Sequence, residues 1–291
     1  MMTRSEQATW EEAVLWLRKQ PGLGHVVRES YLGHDVLAEA RRFAASDEFR
    51  AVVRLLQMER STRSRTVLDL GCGNGIASYA FARLGHTVAA MDPDLSSTVG
   101  LGAVTSIAFD VGSGTLLVAG GGAEALPFAN SAFDAVYARQ ALHHFRSLPA
   151  GLAECARVLK PGGLMLATRE HVADNDAQLE AFLGSHPLHS MYGGEHAFRL
   201  DEYQDAASAA GLECRHILGP YDSVINYYPK TAAGIRGEAV ANLSRKIGAM
   251  AARIALSCRP ALSAYLRRMS HFDRTPGRLY SFLFVNGGAH P

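Results

Sequence analysis

The chain has 291 residues, 48% of them apolar, which is enough to bury one α/β domain with accessory helices but not two large independent domains. Its 29 basic and 28 acidic residues give a formal charge of +1, so no broad electrostatic field would attract nucleic acid. The sequence has no charged start followed by an apolar core and no uncharged run of about 18 apolar residues, so secretion and membrane spanning are not expected. The four cysteines lack pair spacing and are expected to be buried reduced thiols, which predicts a cytoplasmic location: Cys72, Cys155, Cys214 and Cys258.

Residues 1–64 are predicted to form an N-terminal helical cap. Trp10, Val14 and Leu17 recur at helical spacing, and a second apolar series of the same kind ends before residue 63. The remaining residues, 65–291, are predicted to form one domain.

Apolar runs alternate with helical segments through the centre of the chain. This alternation predicts a parallel sheet with helices on both faces, in which ligands bind beyond the carboxyl ends of the strands. Two further runs near the C-terminus are predicted to form the last two strands. The seven predicted strands are 66–70, 87–91, 116–119, 133–137, 164–168, 214–218 and 279–285.

A helical insertion of about 230–275 is predicted before the last strand. Apolar side chains recur there at alternating spacings of three and four, from Val240 to Ile254, which predicts an amphipathic helix. We expect the apolar stripe to pack on the domain and its basic neighbours to be solvated. A homodimer contact through this helix is the alternative.

The turn after the first strand has an unusual composition. It runs Asp69-Leu70-Gly71-Cys72-Gly73-Asn74-Gly75, and Asp92 ends the second strand. A dinucleotide fingerprint would place a glycine where Ile76 stands, and Asp69 would repel a pyrophosphate. The expected ligand therefore has no phosphate at this turn.

Four segments in order resemble the class I methyltransferases that use S-adenosylmethionine: 69–75, 91–93, 123–128 with 133–134, and 142–145 leading to 158–163. The resemblance implies an α/β fold with a Rossmann-like, doubly wound, seven-stranded and mostly parallel sheet that has an antiparallel edge strand. It also implies S-adenosylmethionine as the cofactor and S-adenosylhomocysteine as the product.

The same resemblance implies the cofactor contacts. Asp69 is expected to meet the methionine amino group, Asp92 the ribose hydroxyls, and Gln140 the methionine moiety. Gly122 stands where the family has an acid for the adenine amino group, so adenine would be held by the Ala123 amide, by apolar contact or by Glu124. The full predicted set is Asp69, Gly71, Cys72, Gly73, Gly75, Asp92, Pro93, Gly122, Ala123, Glu124 and Gln140.

Candidate proton acceptors lie in two segments. His143 and His144 follow the fourth strand, and His171 and His189 belong to a stretch after the fifth strand that is rich in His, Glu and Tyr. Tyr31 in the cap is a candidate wall residue or a core aromatic. The predicted substrate-binding residues are Tyr31, Arg169, His171, His186, His189, Tyr192 and Glu195.

A metal site from His171, His186, His189 and Glu195 is chemically conceivable, but their spacing matches no recognised ligand motif. No metal is therefore predicted.

These features predict a methyltransferase that acts on oxygen, nitrogen or carbon of a small-molecule metabolite, for example in secondary metabolism or on a sugar or aromatic compound. One alternative is a protein of the same fold that binds the cofactor but catalyses a cyclisation or elimination. Another is a binding partner that docks through the 230–275 helix.

Overall fold

A computed structural model of the chain describes residues 8–59 and 63–288. The described residues form one seven-stranded sheet with the order β3-β2-β1-β4-β5-β7-β6. Strand β7 runs antiparallel to both of its neighbours, and the other pairs are parallel. This confirms the predicted sheet. Its strands are β1 (Thr66–Leu70), β2 (Thr87–Asp92), β3 (Thr115–Gly120), β4 (Phe133–Arg139), β5 (Leu159–Val172), β6 (Leu212–Leu218) and β7 (Arg278–Asn286).

Strand β5 is longer than its predicted span of 164–168. Its pairing with β7 shifts register between Ala167 and Glu170, where Arg169 has a positive φ of 61°. A bulge of this kind redirects the side chains that follow it. The extra length therefore carries Glu170 and His171 beyond the tips of the neighbouring strands.

Residues 8–59, which we call the cap, form four helices, and each helix follows an extended or turn residue. Thr9 and Glu12 form a capping box at the first helix, and Ser46 caps the fourth. Aromatic rings run from Phe49 through Phe81 to Tyr137, so the cap and the sheet share one core. The helices are α1 (Trp10–Arg18), α2 (Gly24–Glu29), α3 (Val36–Ala44) and α4 (Asp47–Leu55).

Helices of the central domain cover both faces of the sheet. They are α5 (Ile76–Arg83), α6 (Leu101–Ile107), α7 (Leu148–Val158), α8 (Asp176–Ser185), α9 (His189–Tyr192), α10 (Leu200–Ala209) and α11 (Val224–Tyr227). Short 3₁₀ turns occur at Ala108–Asp110 and Leu142–His144.

The insertion before β7 contains three helices, α12 (Ala232–Ile247), α13 (Ala249–Ala255) and α14 (Arg259–Phe272). The single helix predicted across this stretch is wrong, because Gly248 adopts φ 84° and ψ 156° and ends α12. The expected packing of the apolar stripe is also wrong at three positions. Ile247, Met250 and Ile254 are 48%, 71% and 67% exposed. The homodimer contact stays a prediction.

The predicted burial of the four cysteines is wrong for two of them. Cys72 and Cys155 are buried, whereas Cys214 and Cys258 are exposed, and all four are free. Within residues 8–59 and 63–288, no helix combines the length and the apolar composition needed to cross a membrane.

Candidate functional site

The turn after β1 has three glycines with left-handed backbones. Gly71, Gly73 and Gly75 have φ values of 68°, 51° and 80°. A Cβ on Gly71 would lie 2.6 Å from the Cβ of Ala141, and one on Gly75 would lie 2.8 Å from Val104. Side chains at these two positions would therefore collide with neighbouring elements, and glycine keeps the backbone open to a ligand.

Asp92 connects the tips of β1 and β2. Its Oδ2 accepts a hydrogen bond from the Gly73 amide at 2.8 Å, and its Oδ1 accepts one from the Asp94 amide at 2.8 Å. Burial raises the pKa of Asp92, and the two amide bonds oppose that rise. The carboxylate thus lies beside the glycine turn with lone pairs left for a further donor.

Asp69 lies within β1 and is almost fully buried. Ser78 on α5 donates a hydrogen bond to its Oδ2 at 2.5 Å. Burial raises the pKa of Asp69 to about 7, although the Ser78 hydrogen bond opposes the rise. A cationic ligand group beside Asp69 would favour its ionised form.

The segment predicted to hold adenine follows β3. Glu124 uses its Oε1 to accept from the amides of Arg146 at 2.7 Å and Ser147 at 3.2 Å, so it helps position the start of α7. Its Oε2 faces Gly122, where an added Cβ would lie 3.2 Å away. Ala123 is buried and Pro93 is exposed. Their contacts with a cofactor stay predictions.

The 140–144 turn joins the glycine turn to a second group of polar residues. Ala141 contacts Gly71 on one side, and its amide donates to Glu170 Oε1 at 3.1 Å on the other. Glu170 also accepts from His143, through the amide at 3.2 Å and through Nδ1 at 2.7 Å. Gln140, with φ 52°, accepts a hydrogen bond from Arg139 at 3.1 Å.

His143 lies between two carboxylates. Its Nε2 is 3.6 Å from Glu195 Oε2, opposite the bond from Nδ1 to Glu170. Burial alone would lower the pKa of His143, but the two carboxylates raise it to about 9. Burial alone would raise the pKa of Glu195, but the surrounding imidazoles lower it to about 2. At neutral pH the pair is therefore an imidazolium beside a carboxylate.

His171 is the neutral neighbour of His143. The two ring centroids are 4.8 Å apart, and His171 Nδ1 donates to the Gly277 carbonyl at 2.8 Å. Burial and the positive charge of His143 lower the pKa of His171 to about 3. His186 lies on the far side of Glu195, with its Nδ1 3.9 Å from Glu195 Oε1. We call His143, Glu170, His171, His186 and Glu195 the histidine cluster.

Two other predicted histidines lie at the border of this cluster. His144 donates from Nδ1 to the Gly194 carbonyl at 2.8 Å and is exposed. His189 begins α9 and is half-buried. The structure thus brings His171, His186 and Glu195 together with His143, rather than with His189. Glu170 was not predicted as a site residue. The signal that could have found it is an acidic side chain two residues after Thr168, within a buried strand.

Comparison with known proteins identifies a domain within the chain. Residues 68–167 match a family model described as a methyltransferase domain. This part of the chain is a class I methyltransferase domain. The ubiquinone biosynthesis O-methyltransferase of Agrobacterium fabrum is 28% identical over 163 residues, which are 55% of this chain and 64% of that protein. The chain therefore spans less than two thirds of that relative.

Two further proteins are similar to the methyltransferase domain and its surroundings. The methyltransferase YcgJ of Bacillus subtilis is 28% identical over 192 residues, 63% of this chain and 70% of that protein. Its solved structure gives a TM-score of 0.51 at 22% identity and covers 82% of this chain and 98% of that one. The [4+2]-cyclase SpnF gives a TM-score of 0.54 at 18% identity, over 87% of this chain and 86% of that one. At these identities the structural likenesses show the fold alone.

A second polar cluster anchors the cap to the methyltransferase domain. Glu48 on α4 accepts from Arg139 at the end of β4 at 2.8 and 3.4 Å, and both side chains are buried. Arg169 donates to the Ile225 carbonyl at 2.8 Å and interacts electrostatically with Glu48. Burial lowers the pKa of Arg169. Glu48 is not among the predicted site residues, because it lies on the apolar face of its helix.

Tyr31 belongs to this second cluster. Its ring is fully buried, stacks on Tyr228 with centroids 5.7 Å apart, and lies 4.0 Å below the Arg42 guanidinium. The structure places Tyr31 and Arg169 with the cap and β4, and His171 with the histidine cluster. The predicted substrate residues thus divide between two clusters.

The cap closes over the tips of the strands. Glu11 on α1 accepts from the Thr98 amide at 3.1 Å in the loop after β2, and Trp10 packs on Tyr192 with ring centroids 5.4 Å apart. Asn74 in the glycine turn donates to the Tyr31 carbonyl at 2.8 Å. Helix α1 therefore contacts elements on both the Asp92 side and the Glu195 side of the site.

Proposed function

We propose that the chain transfers the methyl group of S-adenosylmethionine to an oxygen of a small-molecule acceptor and releases S-adenosylhomocysteine. The methyltransferase domain supports the reaction, and O-methyltransferases among the curated relatives support oxygen as the acceptor atom. The observation that carries the proposal is the carboxylate of Asp92 beside a turn of three left-handed glycines.

The acidic residues at this turn suit the charges of the cofactor. S-adenosylmethionine bears an ammonium, a sulfonium and a carboxylate but no phosphate. Asp92 would accept from the ribose hydroxyls, and Asp69 would accept from the ammonium. The open amides of the glycine turn would donate to the cofactor's carboxylate. The cofactor supplies an electrophilic methyl group, so the protein chiefly has to align the acceptor with it.

The histidine cluster supplies the acceptor side of the proposed site. The 140–144 turn touches Gly71 and is held by Glu170, so His143 has a fixed position relative to the glycine turn. Because His143 is protonated at neutral pH, it would donate to an acceptor oxygen and stabilise the anion rather than remove a proton. Neutral His171 would accept a hydrogen bond. This favours an acidic hydroxyl such as a phenol, which would release its proton to solvent and be held as the anion by the positive charge of His143.

An acceptor screen tests the proposal. The chain is incubated with S-adenosylmethionine and a panel of phenols, sugars and carboxylic acids, and S-adenosylhomocysteine and product masses are measured. We expect a phenolic product heavier by one methylene, about 14 Da. A product of unchanged mass would instead support cyclisation or elimination, and absence of cofactor binding by calorimetry would overturn the proposal.

Matched variants separate cofactor binding from turnover. Asp92→Asn should weaken cofactor binding by about 2 kcal/mol, roughly 30-fold, because a charged acceptor is lost. Asp201→Asn changes an exposed acid on α10 and should leave binding unchanged. His143→Gln should lower turnover and keep cofactor affinity. Equal effects of the two Asp variants would contradict the assignment of Asp92.

A further inference from the structure

Three buried side chains of the types that ligate transition metals converge within the histidine cluster. One ligand atom from each of His143, His171 and Glu195 lies within 4.8 Å of the others. We infer that these three residues, with His186 as a fourth donor, form a binding site for a divalent metal ion of the zinc class. This site goes beyond the proposed function and does not depend on it.

The hydrogen bonds of the two imidazoles leave one nitrogen of each for a metal. His143 Nδ1 donates to Glu170, and His171 Nδ1 donates to the Gly277 carbonyl. In both rings Nε2 is then the remaining ligand atom. A histidine that ligates a metal nearly always donates its other N–H to a carboxylate or backbone carbonyl, as both do here.

The fourth donor is suggested by an unpaired buried atom. His186 Nδ1 is buried and has no hydrogen-bond partner among the described residues, and it points toward Glu195 at 3.9 Å. Leaving a buried polar atom unpaired costs free energy, so such an atom beside other ligands calls for an explanation. A metal ion held by Glu195 would satisfy it.

The distances fit after a small contraction. Tetrahedral zinc with bonds of about 2.1 Å places its donor atoms roughly 3.4 Å apart. His143 Nε2 and Glu195 Oε2 are already 3.6 Å apart, and no separation within the trio exceeds 4.8 Å. Side-chain rotations that bring His171 closer by at most about 1.4 Å would complete the set.

Charge also favours a dication. The histidine cluster contains two buried acidic side chains, Glu170 and Glu195, and no Lys or Arg. A divalent ion bound beside them would balance the charge of two carboxylates. Imidazole and carboxylate donors together suit zinc better than magnesium or calcium, which prefer oxygen ligands.

A metal at this position would lie beside the 140–144 turn. With both Nε2 atoms occupied as ligands, the ion would replace the His143 N–H as the group that stabilises the acceptor oxygen. It would polarise a hydroxyl oxygen bound to it and lower the pKa of that hydroxyl. This role rests on the proposed function, whereas metal binding itself does not.

Direct metal binding tests the inference. The untagged full chain is stripped with a chelator, titrated with Zn²⁺ in a calorimeter, and separately loaded with Co²⁺ for visible spectroscopy. We expect one equivalent of zinc and a cobalt spectrum typical of four-coordinate nitrogen and oxygen ligands. A folded chain that binds no stoichiometric zinc would overturn the inference.

Variants locate the site. Glu195→Gln and His171→Ala should each weaken zinc binding at least 100-fold, and His186→Ala should weaken it about 10-fold. His196→Ala alters the neighbouring histidine, whose ring packs edge-to-face against Phe198 instead, and this variant should bind zinc normally. Circular dichroism checks that each variant is folded. Unchanged zinc binding in folded Glu195→Gln and His171→Ala would overturn the site.

The two proposals fail separately. Loss of S-adenosylmethionine binding with normal zinc binding would contradict the proposed function and leave the metal site intact. Cofactor binding and methyl transfer without zinc binding would contradict the metal site and leave the proposed function intact.

Discussion

The buried pair of Glu48 and Arg139 should be a main anchor of the cap. Glu48 is 0% exposed and accepts two hydrogen bonds from Arg139, at 2.8 and 3.4 Å. Burial alone would lower the pKa of Arg139, but Glu48 more than offsets this and raises it. Glu48→Ala would leave Arg139 and the neighbouring Arg169 as buried cations beside an empty space.

The expected loss of stability is large because the unpaired charge of Arg139 is nearly shut off from water. Removing one partner of a buried pair costs about 3–5 kcal/mol in the free energy of unfolding, which lowers the melting temperature by roughly 5–8 °C in a chain of this size. Urea denaturation and a thermal scan measure the two quantities. The exposed pair of Arg50 and Asp47, whose side chains are 59% and 74% exposed, is the control, and Arg50→Ala should change little.

A double variant separates the pair from general damage to packing. Glu48→Leu with Arg139→Leu removes both charges and should be more stable than Glu48→Ala, since no unpaired ion remains. A loss of less than about 1 kcal/mol in Glu48→Ala, or a double variant less stable than both wild type and Glu48→Ala, would contradict the role of this buried pair.

Three further predictions follow from the site. Gly71→Ala should destabilise the chain more than Gly162→Ala. Both positions have positive φ, but only at Gly71 would the added methyl group collide with a neighbour, Ala141. Equal melting temperatures of the two variants would contradict this. Affinity for S-adenosylhomocysteine in calorimetry should rise from pH 6 to pH 8, because the pKa of Asp69 is about 7 and only its ionised carboxylate attracts the ligand's ammonium. A flat profile, or the same rise in Asp69→Asn, would count against this role of Asp69. The pKa of His143 is raised from 6.5 to about 9, so its contribution to stability is complete below pH 6.5 and is lost as the pH rises through 9. The difference in unfolding free energy between wild type and His143→Gln, measured with chelator present, should therefore shrink over that range, and a constant difference would argue against the charged pair.

Local sequence was sufficient for the sheet and the glycine turn. The alternation of apolar runs gave the strands, and the glycine spacing with Asp69 and Asp92 gave the turn, because these features depend on residues close together in the chain. The helix break at Gly248 was missed, since a glycine within an amphipathic pattern does not reveal its φ.

The polar clusters depended on long-range contacts. Glu48 meets Arg139 across 91 positions, and Glu170 meets His143 across 27, so neither pair leaves a spacing pattern. The metal hypothesis included His189 in place of His143 for the same reason. Only the folded sheet, through the bulge at Arg169 in β5, brings His171 next to His143.

The most direct test of the proposed function is a crystal structure of the chain with S-adenosylhomocysteine. We expect the ribose hydroxyls to lie within hydrogen-bond distance of Asp92 and the ligand's sulfur to point toward the 140–144 turn. A ligand bound elsewhere, or a ribose remote from Asp92, would contradict it.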